Sequence, residues 1–346
     1  MQTQTILSLR EQLNSAVAEF LHSEGMGCPK TRDGLVMLIN ALGHYREEGK
    51  ALFPEVFVLD SLRDALSILP ESEQVEIGVD IKHAETMAKA LKKCAPLARR
   101  GWAVYIERRG RKFGYGLFRC GSTVLSLSPA ELLVNRGDPA IPVFMLRQVA
   151  ENVIQVSGFS RSSLLVHFGA AKDVEVSPLP KLGDFVDCIV RDVSLDVQEQ
   201  TASFFLAVFS GVLRAGHGTL AAVMPGRKRA LPTAFRDGIT ISPRISVPAK
   251  IKDMLAKLDC NSNAKLQASS ALITGMLLSD GITLFGSDGT VWAYNIFVKH
   301  PRGSEGVVGG ARTRTFKVMR GLVGTDLVGA LIQSQDGRVD FYGKHK

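Results

Sequence analysis

The sequence predicts two domains of mixed α and β structure, in residues 1–190 and 191–346. The 346 residues are 45% hydrophobic and 22% charged, which is enough apolar material for more than one core. Apolar residues recur at helical spacing in some segments and as short apolar runs in others. Two prolines and a glycine at residues 177–183 interrupt both patterns and indicate the boundary region, so we place the second domain from residue 191.

The first domain is predicted to begin with helices and to continue with strands. Apolar residues at helical spacing predict two helices between residues 5 and 45, separated by a turn at residues 25–29. A basic turn around Gly110 lies between two apolar, aromatic-rich runs, as in a β-hairpin. We therefore predict strands at residues 102–106, 113–119, 153–156 and 162–168.

The second domain is predicted to be a mixed sheet flanked by helices. Asp288 followed by Gly289 supplies the positive φ angles that a tight hairpin turn needs, and Asp336 with Gly337 marks a second such turn. Helices are predicted at residues 201–214, 248–258, 264–278 and 313–322. Strands are predicted at residues 219–224, 238–241, 281–285, 291–298, 327–333 and 338–342.

Charge and hydropathy limit the class of partner. The chain has 42 Lys and Arg residues against 34 Asp and Glu, a net charge of +8, which favours anionic ligands. No uninterrupted apolar stretch reaches the roughly 20 residues of a membrane helix, so no membrane span is predicted. The first residues lack the basic segment and apolar region of a secretory signal, and we expect a cytoplasmic protein.

The cysteines argue against a disulfide framework and against a zinc site. They are odd in number, widely spaced, and form no pair separated by two residues. We expect reduced, mostly buried thiols at Cys28, Cys94, Cys120, Cys188 and Cys260.

Two segments of the second domain contain residues suited to phosphate chemistry. Residues 309–315 combine two glycines, a predicted helix start, and the guanidinium groups of Arg312 and Arg314, all of which can bind an anion. Asp280, beside Gly281, offers a carboxylate that can ligate a divalent cation or deprotonate a hydroxyl group. Each segment alone also has an ordinary structural explanation, as a turn or as a basic surface.

The order of these motifs resembles the diadenylate cyclase domain found in DNA-integrity scanning proteins. The resemblance rests on Asp280 and Gly281 before a hairpin, on residues 310–315 at the start of a helix, and on Asp336 and Gly337 in a last strand pair. Residues 212–220 and 236–241 are similar to the first helix, first strand and following turn of that domain. The likeness covers about residues 200–346, with an apparent insertion around residues 250–268.

The resemblance implies a nucleotidyltransferase. Members of that family bind ATP with Mg²⁺ or Mn²⁺, and two monomers meet so that each 3′-hydroxyl attacks the other nucleotide's α-phosphate, giving cyclic di-AMP and pyrophosphate. It therefore also implies a homodimer or higher homo-oligomer. By the same resemblance Asp280 is the catalytic residue and metal ligand. The nucleotide- and phosphate-binding positions are Gly281, Gly310, Ala311, Arg312, Thr313, Arg314 and Thr315.

Three positions depart from the family pattern and keep a second function open. Ile282 stands where alanine is usual, Ala311 replaces a threonine, and Thr313 replaces a histidine. These changes keep the charges but remove a hydroxyl and an imidazole, and Ile282 is large enough to crowd a nucleotide pocket. The alternative is a sensor that binds ATP or a cyclic dinucleotide without turnover. A less favoured third function is nucleic-acid binding through the basic residues 108–112, and we do not expect nucleic acid as the partner.

Overall fold

The computed structural model describes residues 9–47, 50–99, 101–120, 133–134, 138–150, 153–168, 179–215, 218–228, 230–257, 259–298, 310–334 and 338–343. The predicted turn at Asp336 and Gly337 lies outside these ranges, as do Gly309 of the predicted anion-binding segment and residues 177 and 178 of the predicted boundary. The chain divides into two compact units, residues 1–172 and 173–346. The predicted mixed class is confirmed, because each unit contains helices and a mixed sheet.

The first unit is a seven-stranded sheet with helices. Its elements are α1 (Leu9–Ser23), α2 (Pro29–Gly43), β1 (Arg46–Glu47), β2 (Lys50–Ala51), β3 (Val56–Leu59), α3 (Leu62–Ser67), β4 (Glu73–Ile81), α4 (Ala84–Cys94), β5 (Ala103–Arg109), β6 (Lys112–Arg119), β7 (Val143–Ala150), β8 (Val153–Gly158) and β9 (Ser163–His167). The strand order is β4-β6-β5-β3-β7-β8-β9, and β1 pairs with β2 separately. Only β3 and β5 are parallel neighbours among the described strands of this sheet.

Several predictions for the first unit are confirmed. α1 and α2 occupy the predicted helical segments, the β5–β6 hairpin turns at the predicted basic glycine, and β8 pairs with β9. The apolar faces of α1, α2 and α4 pack in one core cluster with the sheet, which explains the helical spacing of their apolar residues. The sequence analysis does not predict strands β1–β4 and β7 or helices α3 and α4, and it therefore misses β3 and β7 in the middle of the sheet.

The second unit is a six-stranded sheet with helices on both faces. Its elements are α5 (Leu179–Val190), α6 (Leu195–Arg214), β10 (Thr219–Met224), β11 (Ile239–Ser246), α7 (Val247–Lys257), α8 (Cys260–Leu277), β12 (Ile282–Gly286), β13 (Thr290–Ile296), α9 (Ala311–Leu322), β14 (Gly329–Gln333) and β15 (Val339–Gly343). The strand order is β11-β13-β12-β10-β14-β15. β10 and β12 run parallel, and the other described neighbours run antiparallel.

Alternating residues of the central strands build two different cores. Ile282 and Leu284 pack with Phe316 of α9 on one face of the sheet. Phe285 packs on the opposite face against aromatic rings of α5 and α6. The predicted helices and strands of this unit are all present, with ends displaced by several residues in some of them.

The beginning of the second unit differs from the sequence prediction. The sequence predicts an interruption of helical structure at residues 177–183, but α5 begins at Leu179, so the prediction is wrong from that residue onward. Pro180 lies in the first turn, where no backbone N–H is needed for an intrahelical bond. α5 packs against α6 and β15, and the division after residue 172 therefore assigns it to the second unit, whereas the sequence places the boundary at residue 190.

The cysteine prediction is confirmed for three thiols. Cys94, Cys120 and Cys188 are free and buried, but the equally free Cys28 is partly exposed. Among the helices in the described ranges, none is long and apolar enough to cross a membrane.

Candidate functional site

Three hydroxyl groups fix the end of α8. The hydroxyls of Ser279 and Thr283 donate to the Met276 carbonyl at 2.6 and 3.1 Å. The buried hydroxyl of Thr219 donates to the Leu277 carbonyl at 3.0 Å. These bonds satisfy carbonyl groups of the last helical turn, which lack the usual donor four residues further along a helix. Because Thr219 begins β10, they also hold the turn between α8 and β12 against the amino end of β10.

Asp280 lies in this turn, at the amino ends of the two parallel strands. Leu220 of β10 pairs with Ile282 of β12 in parallel. Asp280, two residues before Ile282, therefore lies beside the amino end of β10. The Asp280 side chain is 76% exposed. The sheet therefore presents a solvent-accessible carboxylate at its edge.

Gly281 allows the chain to pass from Asp280 into β12. Its φ angle is +89°, a region that residues with a side chain rarely adopt. A Cβ atom at this position would lie 2.9 Å from backbone atoms of Asn295 and Ile296. The glycine is therefore required by backbone geometry, independently of any ligand.

Replacing Gly281 with alanine is expected to lower the free energy of unfolding by about 2–4 kcal/mol, because strain in φ adds to a clash with backbone atoms that cannot rotate away. Urea denaturation followed by circular dichroism measures the change. Gly321→Ala is the control, since Gly321 is helical and no atom lies within 4 Å of the point that its Cβ would occupy. That control is expected to be neutral or stabilising, and equal losses in both variants would contradict the geometric argument.

Asn295 clamps the same turn from β13. Its side-chain amide donates to the Asp280 carbonyl oxygen at 2.9 Å. Its φ angle is +53°, which asparagine tolerates better than most residues. The sequence alone assigns no role to Asn295, because the only signal is an asparagine near a strand end.

Arg312 of α9 meets Asp280. One guanidinium nitrogen lies 3.4 Å from a carboxylate oxygen, although the two residues are 32 positions apart. The guanidinium also lies over Gly218, where a Cβ atom would be 2.8 Å from Nη1. Gly218 thus leaves the space that the arginine occupies. The Arg312 side chain is 34% exposed and remains accessible to a ligand.

The first turn of α9 adds a second source of positive potential. Gly310 is the N-cap residue, and within the described part of the chain no side chain caps this end. The N–H groups of Ala311, Arg312 and Thr313 therefore have no acceptor inside the helix. Such groups and the helix dipole favour an anion. The predicted phosphate-binding segment accordingly begins a helix beside Asp280.

Arg314 does not join Arg312 at Asp280. Residues two positions apart on a helix differ by about 200° in direction, so the two guanidinium groups lie on different faces of α9. Within the described ranges the exposed Arg314 side chain forms no hydrogen bond or ion pair. Ala311 and Thr313 are exposed, and Thr315 is partly buried. The two arginines are therefore not a single pair aimed at one point in this structure.

Ile282 fills the core. Its side chain is fully buried in the apolar cluster that includes Phe316 and Met319 of α9. Isoleucine at this position is thus accommodated by packing between the sheet and the helix.

The described residues contain no cluster of three or more His, Cys, Asp or Glu side chains that could hold a metal ion by themselves. Asp280 is a single carboxylate. This donor set suits Mg²⁺ or Mn²⁺ held through one carboxylate, water and the phosphate oxygens of a nucleotide, and it does not suit a cage made of protein ligands alone.

Two of the four cations in the basic turn of the first unit, Arg108 and Arg109, are ion-paired. Arg108 pairs with Asp60 at 2.5 Å and donates to the Met26 carbonyl. Arg109 pairs with Glu76 and Glu107, both at 2.6 Å. Nucleic-acid binding depends on cations that are free to contact phosphates, so these ion pairs weaken that interpretation of the turn.

The sequence matches no protein-family model, and a search of the curated proteins finds no match.

Proposed function

We propose that the second unit is a diadenylate cyclase-like module that binds ATP and condenses two ATP molecules into cyclic di-AMP and pyrophosphate. The observation that carries the proposal is the meeting of Asp280 and Arg312 at the N-terminus of α9. This exposed end of the sheet presents a carboxylate, a guanidinium and free backbone N–H groups. These are the groups that binding of a nucleoside triphosphate requires. The order of motifs in the sequence supports the same choice.

Each residue has a distinct part in the proposed reaction. Arg312 and the N–H groups of the first turn of α9 bind phosphate oxygens and offset their charge. Asp280 accepts the proton of the attacking 3′-hydroxyl, whose oxygen bonds to the α-phosphorus of the other ATP as pyrophosphate leaves. A bound Mg²⁺ or Mn²⁺ ion supplies further neutralisation of the phosphate charge. Asn295 and Gly281 hold Asp280 in place.

The reaction requires two copies of the chain. Each transfer joins nucleotides held by different monomers, so a homodimer or higher homo-oligomer is part of the proposal. Two such transfers close the ring and release two pyrophosphates.

The proposal is tested first by nucleotide binding. Arg312→Ala is expected to weaken ATP binding by about 10- to 100-fold, because the loss of a charge-assisted hydrogen bond from a binding site typically lowers the affinity by that much. Isothermal titration calorimetry with full-length protein, ATP and Mn²⁺ gives the affinity. Lys317→Ala is the matched control, because it removes an exposed charge from the same helix, about one and a half turns from Arg312.

Two results would overturn the proposal. One is the absence of ATP binding by the unsubstituted protein. The other is equal binding by the Arg312→Ala and Lys317→Ala variants. Arg314→Ala separates the arginines further: since Arg314 lies on another face of α9, its removal is expected to cost less affinity than removal of Arg312.

A second candidate function is nucleotide sensing without turnover. It is favoured by the separation of Arg314 from Asp280. It is also favoured by Ala311, which lacks the hydroxyl of the family's threonine at that position, and by Thr313, which lacks the imidazole of the family's histidine. Under this alternative the protein binds ATP or a cyclic dinucleotide through Arg312, and mass spectrometry detects no cyclic di-AMP after incubation with ATP and Mn²⁺.

A further inference from the structure

Strand β4 is an open edge of the seven-stranded sheet. It lies at one end of the strand order, and among the described strands only β6 pairs with it. With 9 residues it is longer than the usual strand of about five to six. At the opposite edge, β9 has 5 residues, most of them half-buried. The outer N–H and C=O groups of β4 are therefore the longer and more exposed template for another strand.

The side chains of β4 are apolar for an open edge. Its exposed apolar residues are Val75, Ile77, Val79 and Ile81. Open edges are normally protected from pairing by charged side chains, by proline or by a short length. An edge that is long and carries four exposed β-branched residues is expected to pair with another strand.

The acidic residues of β4 do not protect this edge, because each already has a cation of its own chain. The ion pairs, with N–O distances of 2.6–2.9 Å, are Glu73 with Arg119, Glu76 with Arg109 and Asp80 with Lys89. Each pair joins β4 to an element on its inner side, either the β5–β6 hairpin or α4. An approaching strand therefore meets little net negative charge along β4.

A β-bulge interrupts the alternation of side chains along β4. The partners of Glu76 and Gly78 on β6 are adjacent residues, so Ile77 is an extra residue of β4. Residues that pair directly share a face of the sheet. Val75 and Asp80 both pair with β6 residues of the core cluster that α4 joins, so both lie on that face. Without the extra residue they would lie on opposite faces.

This bulge determines how two copies of β4 can pair about a two-fold axis. Such an axis runs perpendicular to the sheet and leaves each face on its own side, so facing residues must belong to the same face. One antiparallel register that meets this condition runs through the whole strand. It places Val75 opposite Asp80 of the second copy, Glu76 opposite Val79, and Ile77 opposite Gly78.

The charges of two copies are complementary in this register. No acidic residue of β4 lies opposite another, and Glu73 lies opposite Lys82 of the second copy. Lys82 follows β4 directly, and its backbone N–H donates to the Arg111 carbonyl at 2.9 Å, which continues the strand pairing. Its ammonium group lies 5.1 Å from the centre of the Phe113 ring and forms no ion pair with a described residue. Opposite charges that face each other across two strands stabilise the pair.

We propose that two copies of this chain associate through β4, so that the sheets of the two first units become one continuous sheet. Complementary charges, and a bulge that brings matching faces together, favour a second copy as the occupant of this edge. Gly78 has no side chain to obstruct Ile77 of the second copy at the axis. The surface lies in the first unit and does not depend on the proposed nucleotide site.

Two single cysteine substitutions test the register. One preparation of the full-length protein carries Glu76→Cys and another carries Val79→Cys. Facing residues lie about 4.5–5.5 Å apart between Cα atoms, which a disulfide can span. After oxidation by oxygen with copper phenanthroline, the mixture is expected to give at least about fivefold more dimer linked at these two positions than either preparation alone. Peptide mass spectrometry locates the bond, and the separate preparations control for the native cysteines.

A charge at the axis tests the strength of the association. Ile77→Lys is expected to weaken self-association by at least about tenfold, because an apolar contact is lost and two ammonium groups meet across the axis. Leu97→Lys is the matched control, since Leu97 is 53% exposed in the same unit. Sedimentation velocity of the full-length variants gives the dissociation constants, and circular dichroism checks that both are folded. Any association through the second unit remains in both variants, so their difference reports on β4 alone.

The ends of the strands provide a charge exchange. Lys82→Glu is expected to weaken self-association by about threefold at low salt, because it places two carboxylates opposite each other. Adding Glu73→Lys to the same chain is expected to restore the association.

The proposal is wrong if the mixed cysteine variants give no more linked dimer than the separate ones. It is also wrong if Ile77→Lys and Leu97→Lys self-associate equally. An edge that pairs with a different protein, or that stays open in a monomer, would give both of these results.

Discussion

Replacing Asp280 with asparagine is expected to lower the rate of cyclic di-AMP formation by at least about 100-fold. Losses of this size are usual when a group that stabilises the transition state is removed. Asparagine has nearly the same shape but cannot accept the proton of the 3′-hydroxyl. ATP binding is expected to be retained or strengthened, because the substitution removes a negative charge beside the phosphates and releases Arg312 from its ion pair. The rate of product formation should therefore fall while the affinity for ATP does not.

Chromatography with mass spectrometry measures the product, and calorimetry measures the affinity. The matched control is Asp326→Asn, which also removes a carboxylate from an ion pair, here with Lys228 at 2.5 Å in the same unit. A loss of turnover as large in the control as in Asp280→Asn would show that the effect is not specific to the site. A protein that binds ATP but forms no product before any substitution would support the sensor instead.

Replacing Phe285 with alanine is expected to destabilise the second unit by about 3–5 kcal/mol, the usual cost of removing a fully buried aromatic ring. The ring lies 5.7 Å from that of Phe205 and 5.8 Å from that of Phe209, measured between centroids. It belongs to β12, the strand that follows Asp280 and Gly281. Its loss should consequently disturb the candidate site as well as the core.

Urea denaturation followed by tryptophan fluorescence measures this effect. The chain has two tryptophans, and a Trp102→Phe background leaves Trp292 as the reporter of the second unit. Phe297→Ala is the control, because Phe297 is 55% exposed, and its loss is expected to stay within about 0.5 kcal/mol. If the two variants are equally stable, the aromatic cluster does not hold the sheet and helices together as described.

The sequence predicts the second unit well where local rules decide the structure. The β12–β13 hairpin turns at Asp288 and Gly289 as predicted, although only Gly289 has a positive φ, of +74°, and Asp288 does not. β10 begins and ends at the predicted residues. Strong turn residues between apolar segments explain this success, since each element is bounded by its own neighbours in the chain.

The sequence is less informative where burial is uniform. β3 and β7 lie in the centre of the first sheet, and all four residues of β3 are buried. A short run that is apolar on both faces has no alternation, so its periodicity cannot distinguish a strand from part of a helix. The start of α5 is hidden for another reason: Pro180 and Gly183 suggest an interruption, whereas proline is tolerated in a first turn.

The candidate site is only partly predictable. Asp280, Arg312 and the start of α9 can be recognised by their residue types and their order, but their contact depends on the parallel pairing of β10 with β12. Gly218 and Asn295 cannot be recognised in advance, because their contributions are space for a guanidinium and a bond to one backbone carbonyl. Such roles leave no motif in a single sequence.

The ion pair between Asp280 and Arg312 makes this end of the sheet selective for highly charged anions. An anion that binds Arg312 must replace the Asp280 carboxylate. Its net gain in free energy is therefore only the difference between its own attraction to the guanidinium and that of the carboxylate. For a singly charged ion such as chloride this difference is small. A polyphosphate carries enough charge to displace the Asp280 carboxylate from Arg312. Chloride salts should therefore inhibit ATP binding less than they would at an arginine that has no carboxylate partner.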